Sequence, residues 1–119
     1  MKQDDLLNCI SIKIFLGVPV IVNSTKAVPG GTVVVAWEPP LEGACPVDNY
    51  TVYYREVVSP TRKSKWQSIT VNRNITSCTL QLKCRKEYDV AVTSLRGYKE
   101  SAFSDSKIWN FKTGGGNMT

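Results

Sequence analysis

Short runs of β-branched and aromatic residues recur along this chain, each closed by a turn signal, and no window carries a helical period of 3.6 residues. Thr32-Val33-Val34-Val35-Ala36-Trp37 stops at Glu38-Pro39-Pro40. Asn49-Tyr50-Thr51-Val52-Tyr53-Tyr54-Arg55 follows a turn containing Gly43 and Pro46, and Trp66 to Val71 follows the polar stretch Ser59 to Lys65. Cys78 to Leu82, Tyr88 to Thr93 and Lys107 to Lys112 complete the series. Short strands spaced by about 10 to 15 residues predict an antiparallel sandwich. A chain of 119 residues with 42% apolar content makes one domain with one core.

Alternation selects the residues that face inward. Val33, Val35 and Trp37 share one parity, as do Tyr50, Val52 and Tyr54, then Leu80 and Leu82, then Tyr88, Val90 and Val92. Trp109 closes the set, and Trp66 is read with it as core. These aromatics could form a ligand cage, but their place on alternating inner faces favours core. Gly114-Gly115-Gly116 reads as a flexible linker in a tail over residues 114–119.

Chemistry is limited by what is missing. The chain has no histidine, which removes Ser-His-Asp and Cys-His constellations, histidine-zinc sites and a histidine pH switch. The cysteines Cys9, Cys45, Cys78 and Cys84 make no CxxC spacing. Glu38, Glu42 and Asp48 crowd one loop region, and solvated loop charges account for them better than a calcium site. The expectation is a protein that is not an enzyme and takes no cofactor or metal. Fifteen basic against ten acidic residues give a net charge of +5, too little to argue nucleic acid.

Four N-x-S/T acceptor sequences begin at Asn23, Asn49, Asn74 and Asn117, where chance would give roughly one. That excess favours an extracellular or cell-surface chain carrying N-glycans. Asn74 lies in a polar loop, Asn49 borders a strand and Asn117 is near the end of the chain. Leu6 to Val22 is apolar-rich but interrupted by Asn8 and Lys13, so residues 1–17 stay unassigned and no transmembrane helix is predicted.

In the order of these residues the chain resembles a fibronectin type III domain. The core Trp followed by prolines is matched by Trp37-Glu38-Pro39-Pro40, and the Tyr-x-Val-x-Tyr of the third strand by Tyr50-Thr51-Val52-Tyr53-Tyr54. Trp66 matches a Trp of the next strand, Leu82 and Tyr88 the Leu and Tyr of the corner before the sixth strand, and Thr113 the closing Thr. Cys84 stands where the corner usually has Pro, and Lys99 where the following loop has Gly. The resemblance implies an all-β, seven-stranded antiparallel sandwich of immunoglobulin-like type over residues 18–113. It implies a non-catalytic extracellular module that binds other proteins or neighbouring domains in an adhesion or receptor ectodomain. The alternatives are a structural spacer and a module for sulfated glycans.

The same resemblance orders the remaining candidates. Cys45 and Cys84 fall at opposite ends, more than about 20 Å apart, beyond disulfide reach. Cys78 shares an end with Cys45, so the readings there are a Cys45–Cys78 disulfide or a buried free thiol. Arg62, Lys63 and Lys65 fall in one loop, and Lys83, Arg85 and Lys86 in the corner before the sixth strand. Both belong to one pole of such a sandwich, with Lys26 in a connection at the same end. They form either a polyanion-binding cap or ordinary solvated loops. The Tyr88 hydroxyl is expected to bond backbone upstream, as in a tyrosine corner.

Overall fold

A computed structural model describes residues 19–22, 26–27, 30–39, 47–96, 99–101 and 108–114. The expectations on residues 1–17, Cys9, Asn23, Glu42, Cys45 and Asn117 lie outside them. Among the described residues ten strand segments run in chain order: β1 (Val20–Ile21), β2 (Lys26–Ala27), β3 (Thr32–Glu38), β4 (Asn49–Ser59), β5 (Arg62–Lys63), β6 (Gln67–Asn72), β7 (Ser77–Gln81), β8 (Glu87–Arg96), β9 (Lys99–Glu100) and β10 (Trp109–Lys112). All pairings are antiparallel, in two sheets.

The smaller sheet has β3 at its centre, with β7 on one side and β1 and β2 in succession on the other. The larger sheet is built on β4 and β8. The free side of β4 takes β5 and then β6, and the free side of β8 takes β9 and β10. Three of the strand paths are therefore interrupted ribbons along an edge, and the ten segments trace seven paths. The sheets form a β-sandwich, as the sequence predicts.

The period of two explains the core. In β3 every second side chain, Val33, Val35 and Trp37, is buried. They meet Leu80 of β7, Tyr50 and Val52 of β4, and Val90 and Val92 of β8. Tyr54, Leu82 and Trp109 are partly buried against this cluster. Trp37 meets Tyr50 edge-on, with ring centroids 5.6 Å apart. Each such buried side chain contributes about 1.5–3 kcal/mol.

Two sequence expectations need correction here. Trp66 is not in the core. Inward positions of β6 are those of Val71 and Ile69, opposite Tyr50 and Val52, and Trp66 has the other parity. It packs on the outer face of the larger sheet, edge-on to Tyr53 at 6.3 Å and beneath the Arg55 guanidinium at 4.1 Å. Lys26 is not in a connection either. It belongs to β2, paired with Val34, where the unbroken apolar run of β3 templates a neighbour along its edge.

Candidate functional site

The pole formed by the end of β4 and the start of β8 gathers charge from three stretches of chain. Val57 of β4 is opposite Lys63 on one side and Glu87 on the other, so the β4–β5 hairpin and the corner before β8 share one end of the larger sheet. Lys112 of β10 is opposite Glu87 and joins them. Arg62, Lys63, Lys65, Lys83, Arg85, Lys86 and Lys112 are all exposed. The stretch expected as a loop around Arg62 and Lys63 is a short strand, with a register shift at its turn.

Neutralisation at this end is partial. Lys63 Nζ lies 3.9 Å from Asp89 Oδ2, and Lys83 Nζ lies 4.0 Å from Glu56 Oε1. Among the described residues Arg62, Lys65, Arg85, Lys86 and Lys112 have no carboxylate within ion-pair distance. Glu87 is engaged by the Asn110 side-chain amide at 2.9 Å. The result is an end whose cations outnumber Glu56, Glu87 and Asp89.

Backbone hydrogen bonds hold the corner in place. The Tyr88 hydroxyl accepts the Lys83 N–H at 3.0 Å, the corner bond expected from the sequence. Thr113, 5% exposed, does more than close a strand. Its hydroxyl accepts the Lys86 N–H at 2.9 Å and lies 2.6 Å from the Lys83 carbonyl, while its own N–H donates to the Lys86 carbonyl at 2.8 Å. Arg85 adopts a left-handed φ of 57° and donates its N–H to the Gly114 carbonyl at 3.0 Å. That conformation costs about 1 kcal/mol or more for a side chain with Cβ, and the surrounding bonds hold it. The basic side chains of the corner thus rise from a fixed backbone. Replacing Tyr88 by Phe is expected to cost about 0.5–1.5 kcal/mol, because the Lys83 N–H loses its partner. Denaturant titration reads the loss, and amide exchange at Lys83 should accelerate with it.

The outer face of the larger sheet adjoins this pole and holds groups that alternation assigns to solvent. Asp89 is 5% exposed, although it lies opposite in parity to Tyr88 and Val90. Its Oδ2 accepts from Arg55 Nε at 3.1 Å, and its Oδ1 from Asn110 Nδ2 at 2.8 Å. Farther along, Glu100 Oε2 accepts from both the Tyr53 hydroxyl and the Thr93 hydroxyl at 2.6 Å. Burial, reinforced by the Glu100 carboxylate, pushes the Tyr53 phenol up to about 12. Its neutral form is the one the fold favours, so this stability is complete below the ordinary tyrosine value near 10 and is lost as pH rises toward 12. A Tyr53→Phe protein should therefore show a shallower loss of melting temperature across that window.

The other predicted site residues are dispersed. Asn74 is exposed in the turn between β6 and β7. Asn49 opens β4 at the far end and donates its side-chain amide to the Val71 carbonyl at 3.3 Å. Cys78 is half-buried on β7, and burial raises its pKa, which disfavours the reactive thiolate. Cys84 is exposed, and among the described residues neither thiol has a disulfide partner. Among the described residues no three His, Cys, Asp or Glu side chains converge as metal ligands, and no helix is long and apolar enough to cross a membrane. Lys112 and Thr113 are the pole residues that sequence reasoning did not assign to it. Lys112 has the outward parity on β10, opposite to Trp109 and Phe111, and that alternation was the available signal.

Comparison with known proteins agrees with this architecture. The family model described as fibronectin type III domain matches residues 19–107. Among solved structures, the FN5 domain of Drosophila Lar superposes with a TM-score of 0.64 at 18% identity, covering 85% of this chain and 99% of that one. An FN3 domain of human collagen XX gives 0.62 at 20% identity, covering 82% and 92%. The FN1–FN3 domains of chicken CNTN1 give 0.66 at 16% identity, covering 85% of this chain and 31% of that one. No curated protein sequence matches the chain.

Proposed function

Because the chain belongs to the fibronectin type III family, whose members are commonly found in adhesion and receptor ectodomains, we propose that it is a non-catalytic, extracellular protein-binding module of a cell-surface or receptor-like protein. The observation that carries this reading is the basic pole. Its cations come from stretches far apart in sequence and stand on a corner fixed by Tyr88 and Thr113. A preformed surface loses little freedom on binding, which favours recognition over a passive spacer. The matching partner is an acidic patch on another protein or on a neighbouring domain. Rim charges of this kind accelerate encounter and set specificity more than they add affinity. The test is binding of the bacterially made domain, presented as a multimer, to cell surfaces. A protein with Arg85→Glu and Lys86→Glu should lose the binding; equal binding by both proteins would reject the basic pole as the contact surface, and no binding by the parent would leave only the spacer role.

Sulfated glycans are a second reading, favoured by Arg62 and Arg85 having no carboxylate partner among the described residues. The planar guanidinium fork suits sulfate. Single exposed contacts are worth less than about 1 kcal/mol, so several must act together and binding must fall steeply with salt. Elution from heparin is compared with a control of the same net charge. In that control Lys83, Arg85 and Lys86 exchange places with carboxylates of the opposite pole, such as Glu38. Earlier elution of the control supports the glycan reading, and elution at the same salt rejects it.

A further inference from the structure

The acceptor sequences for N-glycosylation are not equivalent in the folded chain. Asn74-Ile75-Thr76 forms the short connection between β6 and β7, and all three residues are exposed. The turn is organised by Asn72, not by Asn74. The Asn72 side-chain oxygen accepts the Asn74 N–H at 2.9 Å, and the Asn72 carbonyl accepts the Ile75 N–H at 2.8 Å. Among the described residues the Asn74 side-chain amide and the Thr76 hydroxyl have no hydrogen-bond partner. The Thr76 carbonyl accepts the Trp37 N–H at 3.0 Å.

Asn49-Tyr50-Thr51 presents the opposite case. It lies within β4, which has β6 on one side and β8 on the other. The Asn49 amide donates to Val71, Tyr50 is 2% exposed in the core, and Thr51 is 4% exposed with its hydroxyl 3.3 Å from that of Thr70. Glycan transfer there would have to precede strand formation and would oppose it.

We propose that, of the two acceptor sequences among the described residues, Asn74 is the one that carries an N-glycan and the Asn49 sequence is closed by folding. The donor is a lipid-linked diphospho-oligosaccharide. Asn74 Nδ2 forms a C–N bond to the anomeric carbon, the carbon–oxygen bond to the diphosphate breaks, the lipid diphosphate keeps the electron pair, and the amide gives up one proton. The glycan has a defined place in the architecture. β4 is 11 residues long, so the turn beside its start stands roughly 30 Å from the basic pole at its end. A glycan on Asn74 therefore covers the far end and leaves the basic pole open.

This inference rests on the extracellular reading, since the transfer takes place in the secretory pathway. The test expresses the full chain behind a secretory leader in a eukaryotic host. Peptide-N-glycosidase in heavy-oxygen water then marks every occupied Asn as Asp, and site-resolved mass spectrometry reads both the secreted and the cell-retained chains. Asn74 should be marked in most molecules of both pools, and Asn49 should stay unmarked in the secreted pool. Asn74→Gln should abolish that mark, and Thr76→Ser should keep it, with melting temperature unchanged in both variants. An unmarked Asn74 in either pool, or a marked Asn49 in folded secreted protein, overturns the proposal. Because the cell-binding experiment uses protein made without glycans, its failure bears on recognition alone, and an empty Asn74 bears on the acceptor alone.

Discussion

Trp37→Ala is expected to unfold the domain or leave it barely folded at room temperature. Trp37 is 2% exposed, belongs to the inner cluster and packs edge-on against Tyr50. Truncating a buried Trp costs about 3–5 kcal/mol through lost transfer energy and the cavity left behind. A domain of this size has about 5–15 kcal/mol in total. The indole N–H contributes nothing to that cost, because among the described residues it has no acceptor. Trp37→Phe should therefore be much milder, losing volume while also removing a buried donor. Thermal melts of the two variants make the comparison. If Trp37→Ala kept the parent melting temperature, the side chain could not be packed between the sheets, and the assignment of inward faces would fall with it.

How far the sequence reaches can be judged from the same strands. β3 was legible because Val33, Val35 and Trp37 stand two apart beside a proline stop, and β8 because Tyr88, Val90 and Val92 do the same. Trp66 was misread because its size and its match to a family position outweighed parity. Ile69 and Val71 share the other parity and are the ones opposite Val52 and Tyr50. Asp89 was passed over because a carboxylate between apolar residues reads as solvent-facing, yet Arg55 and Asn110 arrive from the strands on either side and replace water. No local pattern announces such a cluster, since its partners are 34 and 21 residues away. The edge segments β1, β2 and β9 were illegible for a simpler reason. Each is two residues long, and its hydrogen bonding depends on the neighbour that templates it. The basic pole was legible as two clusters on one end, whereas the contributions of Lys112 and Thr113 depend on the register of β10 against β8.

Gly31→Ala should be the most damaging small substitution outside the core. Gly30 and Gly31 both have positive φ, 91° and 86°, and lead directly into β3. A Cβ on Gly31 would stand 2.2 Å from the Leu82 carbonyl oxygen, well inside van der Waals contact. The obstacle is backbone, so no side-chain rotation relieves it. Nor can the strand simply move away, because the Gly31 carbonyl accepts the Leu82 N–H at 2.8 Å and the next residue pair is Thr32 with Gln81. Leu82 in turn leads into the corner held by Tyr88. Two penalties therefore combine: about 1–3 kcal/mol for the unfavourable backbone region, and the loss of the ladder bond that starts the β3–β7 pairing, worth about 0.5–1.5 kcal/mol. The expected result is a fall in the urea midpoint corresponding to at least about 1.5 kcal/mol, with early loss of amide protection at Leu82 and Lys83. Placing a D-alanine at position 31 by chemical ligation separates the two causes. D-residues tolerate positive φ, and their Cβ points along the other bond of Cα, so stability should return to near that of the parent. If L-alanine proved as stable as glycine, the close approach of β3 to the end of β7 would be wrong, and with it the placement of the corner on which the basic pole stands.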